Sequence, residues 1–425
     1  MELLPKLDGI KGKKGLWMYS MLPYQIAYGP ISTIIALFIL DLGGTVIDVS
    51  YAMAVFYGVS IPASVLWGMA VDRYGSRKPF VYISIASAGL ILLALSFTNN
   101  IAMAITLFGL LSLFTAALAT PLSLLVMETI EKKFWASGFS RLQMLSSIGG
   151  SIGLLAASVL TGFLPLRVVM LLLIPFVIIS ILIAMSITEP AKNLERRSII
   201  KNSMALRFRL LMHNLIFIRV PGYKFIRGLI GSKHNQLSKL TVIYIGMFAF
   251  YLGSAIFNTA YVPGLRDIGL ANVYVFGIIF AGYAVQSYVF NYSGRFTESK
   301  GEKSTLRSSL AMRAAGYVAI GFAFIFLTGF GSLLINVVLY ALTAGLAYAM
   351  FYTVSNTLLF ETVGSEKPGR KLGLYSSVVG IAYFIGSLVA GYMAYYVGYS
   401  FAFIASGLLI FLSLFIFLGI YKQKN

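Results

Sequence analysis

The 425-residue chain has no cysteine, which excludes disulfides, thiolate metal sites and cysteine nucleophiles. Histidine is nearly absent too. His213 and His234 both lie in one basic stretch, so no His-rich metal cluster is expected. Charge is sparse, at 11% of residues against about 25% in soluble domains. Hydrophobic residues make up 59% of the chain. So few charges cannot cover a water-facing surface, which excludes an ordinary globular enzyme and makes lipid the expected solvent. Acidic residues are the scarcer sign, 14 against 33 Lys and Arg, for a net charge of +19. In a soluble protein that excess would point to nucleic acid; here its distribution decides what it means.

A membrane-crossing helix needs about 20 mostly apolar residues. Breaks at charges, Asn/Gly clusters and prolines divide the chain into twelve such stretches, near 18–40, 49–71, 80–98, 101–127, 139–163, 167–187, 240–263, 271–293, 309–328, 332–359, 372–396 and 400–421. They lack the roughly ten-residue alternation of membrane strands, so the expected fold is an all-α membrane protein of twelve transmembrane helices. The basic N-terminus runs into the first of them without a cleavage site and reads as a span, not a leader. All Lys and Arg except Arg167 and Arg266 fall in alternate loops and at the two ends. Positive charge marks the cytoplasmic side, which predicts a multi-pass cell-membrane protein with both termini in the cytoplasm. The same distribution removes nucleic acid as a partner.

Residues 188–239 carry eleven Lys and Arg and separate six spans from six. The expected organisation is a first half at 1–187, a basic cytoplasmic linker at 188–239 with an interfacial helix in 204–220, and a second half at 240–425. The halves repeat. An offset of 226 superposes Asp41 on Asp267, Gly43 on Gly269, Tyr57 on Tyr283, Gly68 on Gly294, Asp72 on Glu298, Gly75 on Gly301 and Arg77 on Lys303; an offset of 233 pairs Glu128-Thr129 with Glu361-Thr362. An even number of spans per half makes this a parallel repeat about an axis along the membrane normal.

The loop after span 2 holds Gly68, Asp72, Arg73, Gly75, Arg77 and Lys78. It resembles the signature loop of the major facilitator superfamily, G-x-x-x-D-R-x-G-R-[RK], departing at Ser76. Gly294, Glu298, Gly301 and Lys303 form a degenerate second copy, and Arg370 with Gly373 looks like the family's R-x-x-G entry to span 11. The resemblance covers nearly the whole chain. It implies two six-helix bundles that move a solute by alternating access, with this loop latching the cytoplasmic side and Glu128 and Arg141 in reach as partners. Gly68 is expected to permit close helix approach, and Gly75 a tight turn.

The family architecture also implies that spans 1, 4, 7 and 10 line a central pathway. Polar and aromatic residues at helical spacing there are Tyr24, Gln25, Tyr28 and Ser32; Tyr251, Ser254, Asn258 and Tyr261; and Tyr348, Tyr352, Ser355 and Asn356. Tyr283, Gln286, Gln143 and Tyr383 are secondary candidates. Such groups orient a solute through hydrogen bonds and ring faces. Every ionisable residue maps to a loop or a span end, which favours a small neutral or amphiphilic organic solute. No cofactor or metal is expected. Coupling to a proton stays open, with Asp41, Asp48, Glu128 and Glu361 as carriers. The leading expectation is a secondary transporter working as a monomer; the alternatives are a proton-coupled multidrug efflux pump and a non-transporting receptor. A membrane enzyme would need buried His or paired carboxylates in the spans, and none is read there.

Overall fold

The computed structural model describes residues 12–74, 76–129, 135–187, 239–327, 329–363 and 368–422. The linker segment 188–238 with its expected interfacial helix, and both histidines, lie outside them. The described residues are almost entirely helical and form twelve segments long and apolar enough to cross a membrane. In order, spans 1 to 12 are Gly15–Asp41, Val46–Val71, Lys78–Phe97, Ile101–Val126, Arg141–Leu160, Leu166–Ala184, Leu240–Asp267, Asn272–Ser293, Glu302–Phe326, Gly331–Leu359, Tyr375–Tyr396 and Tyr399–Gly419. An even number of crossings puts residues 12 and 422 at one face, the terminal face; the other is the far face.

Most boundaries match the expectation within a few residues. Span 9 is the exception: its helix starts at Glu302, not at 309. Seven of its first eleven residues are Ser, Thr, Lys, Arg or Glu, too polar for a hydropathy boundary yet fully compatible with helix.

Several spans are discontinuous for local reasons. In span 1 the helix Met21–Tyr28 stops at Gly29-Pro30 and resumes as Ile31–Asp41, as the missing proline N–H requires. Span 10 contains a π-helical turn over Ala341–Ala347, the kind of widened turn that recurs at functional sites. The helix of span 4 opens on Asn100, whose side chain accepts from the N–H groups of Ala102 and Met103, a standard cap.

The internal repeat is visible in the backbone. At the far end of span 1, Gly43 has φ +84° and Gly44 N–H bonds Ile39 C=O; at the far end of span 7, Gly269 has φ +86° and Leu270 N–H bonds Leu265 C=O. The two turns are the same left-handed helix stop, offset by 226 residues. Gly301 also sits at positive φ, +80°, while its counterpart Gly75 lies outside the described residues. Gly68 is a correction. A Cβ there would meet only Thr120 Oγ1 at 3.9 Å, so in this conformation it has room to spare and does not serve close approach.

Close approach is made elsewhere. Spans 1 and 5 pack backbone to backbone: a Cβ on Gly149 would lie 2.3 Å from Leu22 O, and one on Gly153 2.2 Å from Ile26 O. Across the two halves, span 2 packs on span 11 and span 5 on span 8. The far face is closed by Asp41–Arg266 at 3.3 Å, by Tyr51 and Tyr392 hydroxyls 2.5 Å apart, and by Ser158 Oγ donating to Val273 O at 2.7 Å. Gly391 adds to this seal, its position filled by Ser50.

Candidate functional site

Below that seal the halves enclose a cavity of about 420 Å³, within the range of small-molecule sites. The first half contributes Gln25, Tyr28 and Ser32 from span 1, Tyr57 from span 2, and Gln143, Ser146 and Ser147 from span 5. The second half contributes Asn258 and Tyr261 from span 7, Tyr283 and Gln286 from span 8, Arg313 from span 9, Tyr340 and Tyr348 from span 10, and Tyr383 from span 11.

Local structure puts each of these side chains in place. A Cβ on Gly29 would meet Gly150 Cα at 2.6 Å; the contact draws span 1 onto span 5 and aims Gln25, Tyr28 and Ser32 at the cavity. On the opposite wall, Gly282 leaves space for the Tyr340 ring, and Gly345 brings span 10 onto the Gly282 carbonyl. Tyr261 stacks on Tyr340 at 4.9 Å and 3° and donates its hydroxyl to Asn336 Oδ1 at 2.9 Å; Asn336 in turn donates to Ser332. Tyr57 and Tyr283, partners in the repeat, both line the cavity, and Tyr57 stacks on Tyr383 at 4.5 Å across the halves.

Of the twelve expected pathway residues, Gln25, Tyr28, Ser32, Asn258, Tyr261 and Tyr348 line this cavity, as do the secondary candidates Tyr283, Gln286, Gln143 and Tyr383. The other six do not. Tyr24 is buried inside the first half, stacked on Tyr28 at 5.2 Å. Tyr251 shares a 3.3 Å hydroxyl contact with Tyr375, and Ser254 is buried against span 9. Tyr352, Ser355 and Asn356 sit nearer the terminal face, where Ser355 and Asn356 both donate to the Tyr352 carbonyl. Tyr340, Ala344 and Tyr348 line the cavity at four-residue spacing across the π turn, and of these tyrosines Tyr340 was not among the expected pathway residues. Span 4 supplies only Phe108 to the lining.

Arg313 overturns the expectation that ionisable residues stay at span ends. With span 9 starting at Glu302, Arg313 lies thirteen residues before Phe326, about 20 Å below the far face at 1.5 Å per residue, inside a hydrocarbon core of about 30 Å. It is 3% exposed. Nη1 donates to Thr343 O at 2.9 Å, in the π turn, and Nη2 to Ser254 Oγ at 3.4 Å. The guanidinium lies 5.0–5.3 Å from the ring centres of Phe250, Tyr317 and Tyr348, contacts that offset part of its desolvation. A span counted back 20 residues from Phe326 would have found it.

The expected latch is only partly described. The side chains of Asp72, Glu128, Gly294, Glu298, Glu361 and Arg370, and all of Gly75, lie outside the described residues. Arg73 is exposed, Arg77 precedes the helix of span 3, and Lys78 donates to Met185 O at 3.1 Å. Arg141 is buried and donates to Tyr19 Oη at 2.6 Å, a contact within the first half. Lys303 is exposed at the start of span 9. Among the described residues no group of His, Asp and Glu is arranged to hold a metal.

A family model described as Major Facilitator Superfamily matches residues 18–232 and 243–425. No curated protein sequence matches the chain. Among solved structures, a POT family transporter in complex with 5-aminolevulinic acid superposes with a TM-score of 0.72 at 12% identity, covering 99% of this chain and 98% of that one. A structure concerned with substrate recognition in proton dependent oligopeptide transporters gives 0.73 at 13%, covering 96% and 97%. The nucleoside transporter NupG gives 0.66 at 10%, covering 97% and 100%. At these identities the likeness is one of fold.

Proposed function

The chain belongs to the major facilitator superfamily, a multi-pass membrane transporter and not an enzyme, and from that premise we propose that the inter-half cavity is where it binds a small polar organic solute and passes it across the cell membrane by alternating access. The observation that carries the reading is the cavity itself, closed toward the far face and lined from both halves by hydrogen-bonding side chains. Gln25, Gln143 and Asn258 supply amides, Ser32, Ser146 and Ser147 hydroxyls, and the Tyr cluster supplies ring faces. The far-face contacts are the bonds that rocking of the halves must break. Both termini are assigned to the cytoplasm by the basic loops, and one chain holds a complete cavity, in keeping with a functional monomer.

The neutral-solute expectation rested on an absence of intramembrane charge, and Arg313 removes that support. The reading is tested by a thermal-shift screen of the purified protein against sugars, amino acids, organic acids and amphiphiles, repeated with Gln25→Ala and Asn258→Ala. A ligand of the cavity stabilises the wild type and binds each variant about fivefold to tenfold more weakly, the loss expected for one hydrogen bond. A ligand that binds wild type, both of these variants and Arg313→Gln equally places the site elsewhere.

A further inference from the structure

A buried arginine needs a counter-ion or a full set of acceptors, because an unpaired charge at membrane depth costs several kcal/mol. Arg313 has neither. No carboxylate pairs with it among the described residues, its Nε has no hydrogen-bond partner, and only Thr343 O is at a short distance. It is also the one formally charged side chain among the described residues that line the cavity. The wall around it holds Asn258, Tyr340 and Tyr348, which together present donors and ring edges and no fixed negative charge.

We propose that Arg313 is the anchor for an anionic group on the transported solute, and that the solute is a small organic acid carrying one net negative charge. The inference rests on the cavity being the solute site. A single guanidinium compensates a single carboxylate-sized anion, whose oxygens accept charge-assisted hydrogen bonds from its N–H groups. The Thr343 carbonyl and the rings of Phe250, Tyr317 and Tyr348 position the guanidinium without neutralising it, so the cavity is electrostatically positive before the solute arrives and attracts anions. The rest of the solute then faces the amides and hydroxyls of the first half. A purely structural arginine tying span 9 to span 10 would have its donors satisfied within the protein and would not form part of the cavity wall.

The test compares matched acid and amide pairs of one shape: benzoate with benzamide, phenylacetate with phenylacetamide, and indole-3-acetate with indole-3-acetamide, with phenethylamine as the cation. Thermal shifts are measured on the full chain in detergent. At least one acid is expected to stabilise the wild type while its amide binds about tenfold or more weakly, the fold-change of a charge-assisted hydrogen bond. Arg313→Gln should abolish the preference for the acid, and Arg313→Lys should keep part of it. Equal binding of acid and amide, a shift from none of the acids, or an acid preference that survives in Arg313→Gln overturns the proposal. The wild-type comparison stands alone if Arg313→Gln fails to fold. Loss of the acid preference in Arg313→Gln with no effect of Gln25→Ala and Asn258→Ala would retain the anchor and the cavity and remove those two amides from the solute's contacts; the reverse pattern would retain the cavity and reject the anchor.

Discussion

The two halves build facing walls of one cavity by different means. In the first half, span 1 is pressed onto span 5 through glycines, with Gly149, Gly150 and Gly153 lying directly against the backbone of span 1. The second half has its own glycine approaches at Gly282 and Gly345 and adds side-chain contacts to them: the Tyr261–Asn336–Ser332 chain, the Phe257–Tyr317 stack at 3.6 Å, and Arg313 on the carbonyl of the π turn. A duplicated fold has thus kept its turns, Gly43 and Gly269, while its walls diverged in emphasis, the first resting mainly on close glycine packing and the second adding a network of polar and aromatic contacts. The first kind of wall fails when volume is added. The second fails when a polar partner is removed.

That contrast can be broken experimentally. The largest effect is expected from Gly153→Val, since its Cβ would fall 2.2 Å from a backbone oxygen that cannot move aside; overpacking of this kind costs about 3 kcal/mol or more. The yield of monodisperse protein should collapse, and a normally folded variant would refute the steric account of the first half. Next comes Asn336→Leu, which keeps the branched outline and heavy-atom count of the side chain but leaves the buried Tyr261 hydroxyl without its acceptor. The cost is about 1–3 kcal/mol, read as a lower melting temperature together with weaker ligand protection. A silent Asn336→Leu would show that stacking alone holds the second wall.

Smaller effects sharpen the comparison. Gly68→Ala fills open space and should change stability by less than about 0.5 kcal/mol, unlike the glycines of span 5. If transport nevertheless falls, Gly68 acts in the other conformation, as the loop resemblance implies. Asp41→Asn breaks an ion pair whose members are both 36% exposed, so the loss should stay below about 1 kcal/mol. Because the chain has no native cysteine, a single Ser50→Cys reports far-face opening directly; adding Asp41→Asn should speed its labelling by a water-soluble maleimide up to about fivefold. Unchanged labelling would show that the hydroxyl pair Tyr51–Tyr392 and the packing of Gly391 hold the seal without the ion pair.

Much of the fold was legible in the chain. Span number and helical form follow from runs of apolar residues, and the repeat was readable from Asp41/Asp267, Gly43/Gly269 and Tyr57/Tyr283. About half of the expected pathway residues reached the cavity. Those that did not, such as Tyr24 and Ser254, share a helix with lining residues but face neighbouring spans within their own half. Tyr340 was missed although it precedes the lining residues Ala344 and Tyr348 by four and eight residues, a spacing that helical periodicity alone puts on one face. Arg313 was missed because the polar first turns of span 9 read as loop.

Composition and charge distribution by themselves determined the solvent, the crossings and the expected orientation, because each is a sum over single residues moved from water to lipid. Which side chains meet, and how deeply one cation is buried, depend on many segments at once. Only the packing of span 9 against spans 7 and 10 turned Arg313 from a topological charge into a buried one at the cavity wall, with an aromatic surround to hold it and no carboxylate among the described residues to neutralise it.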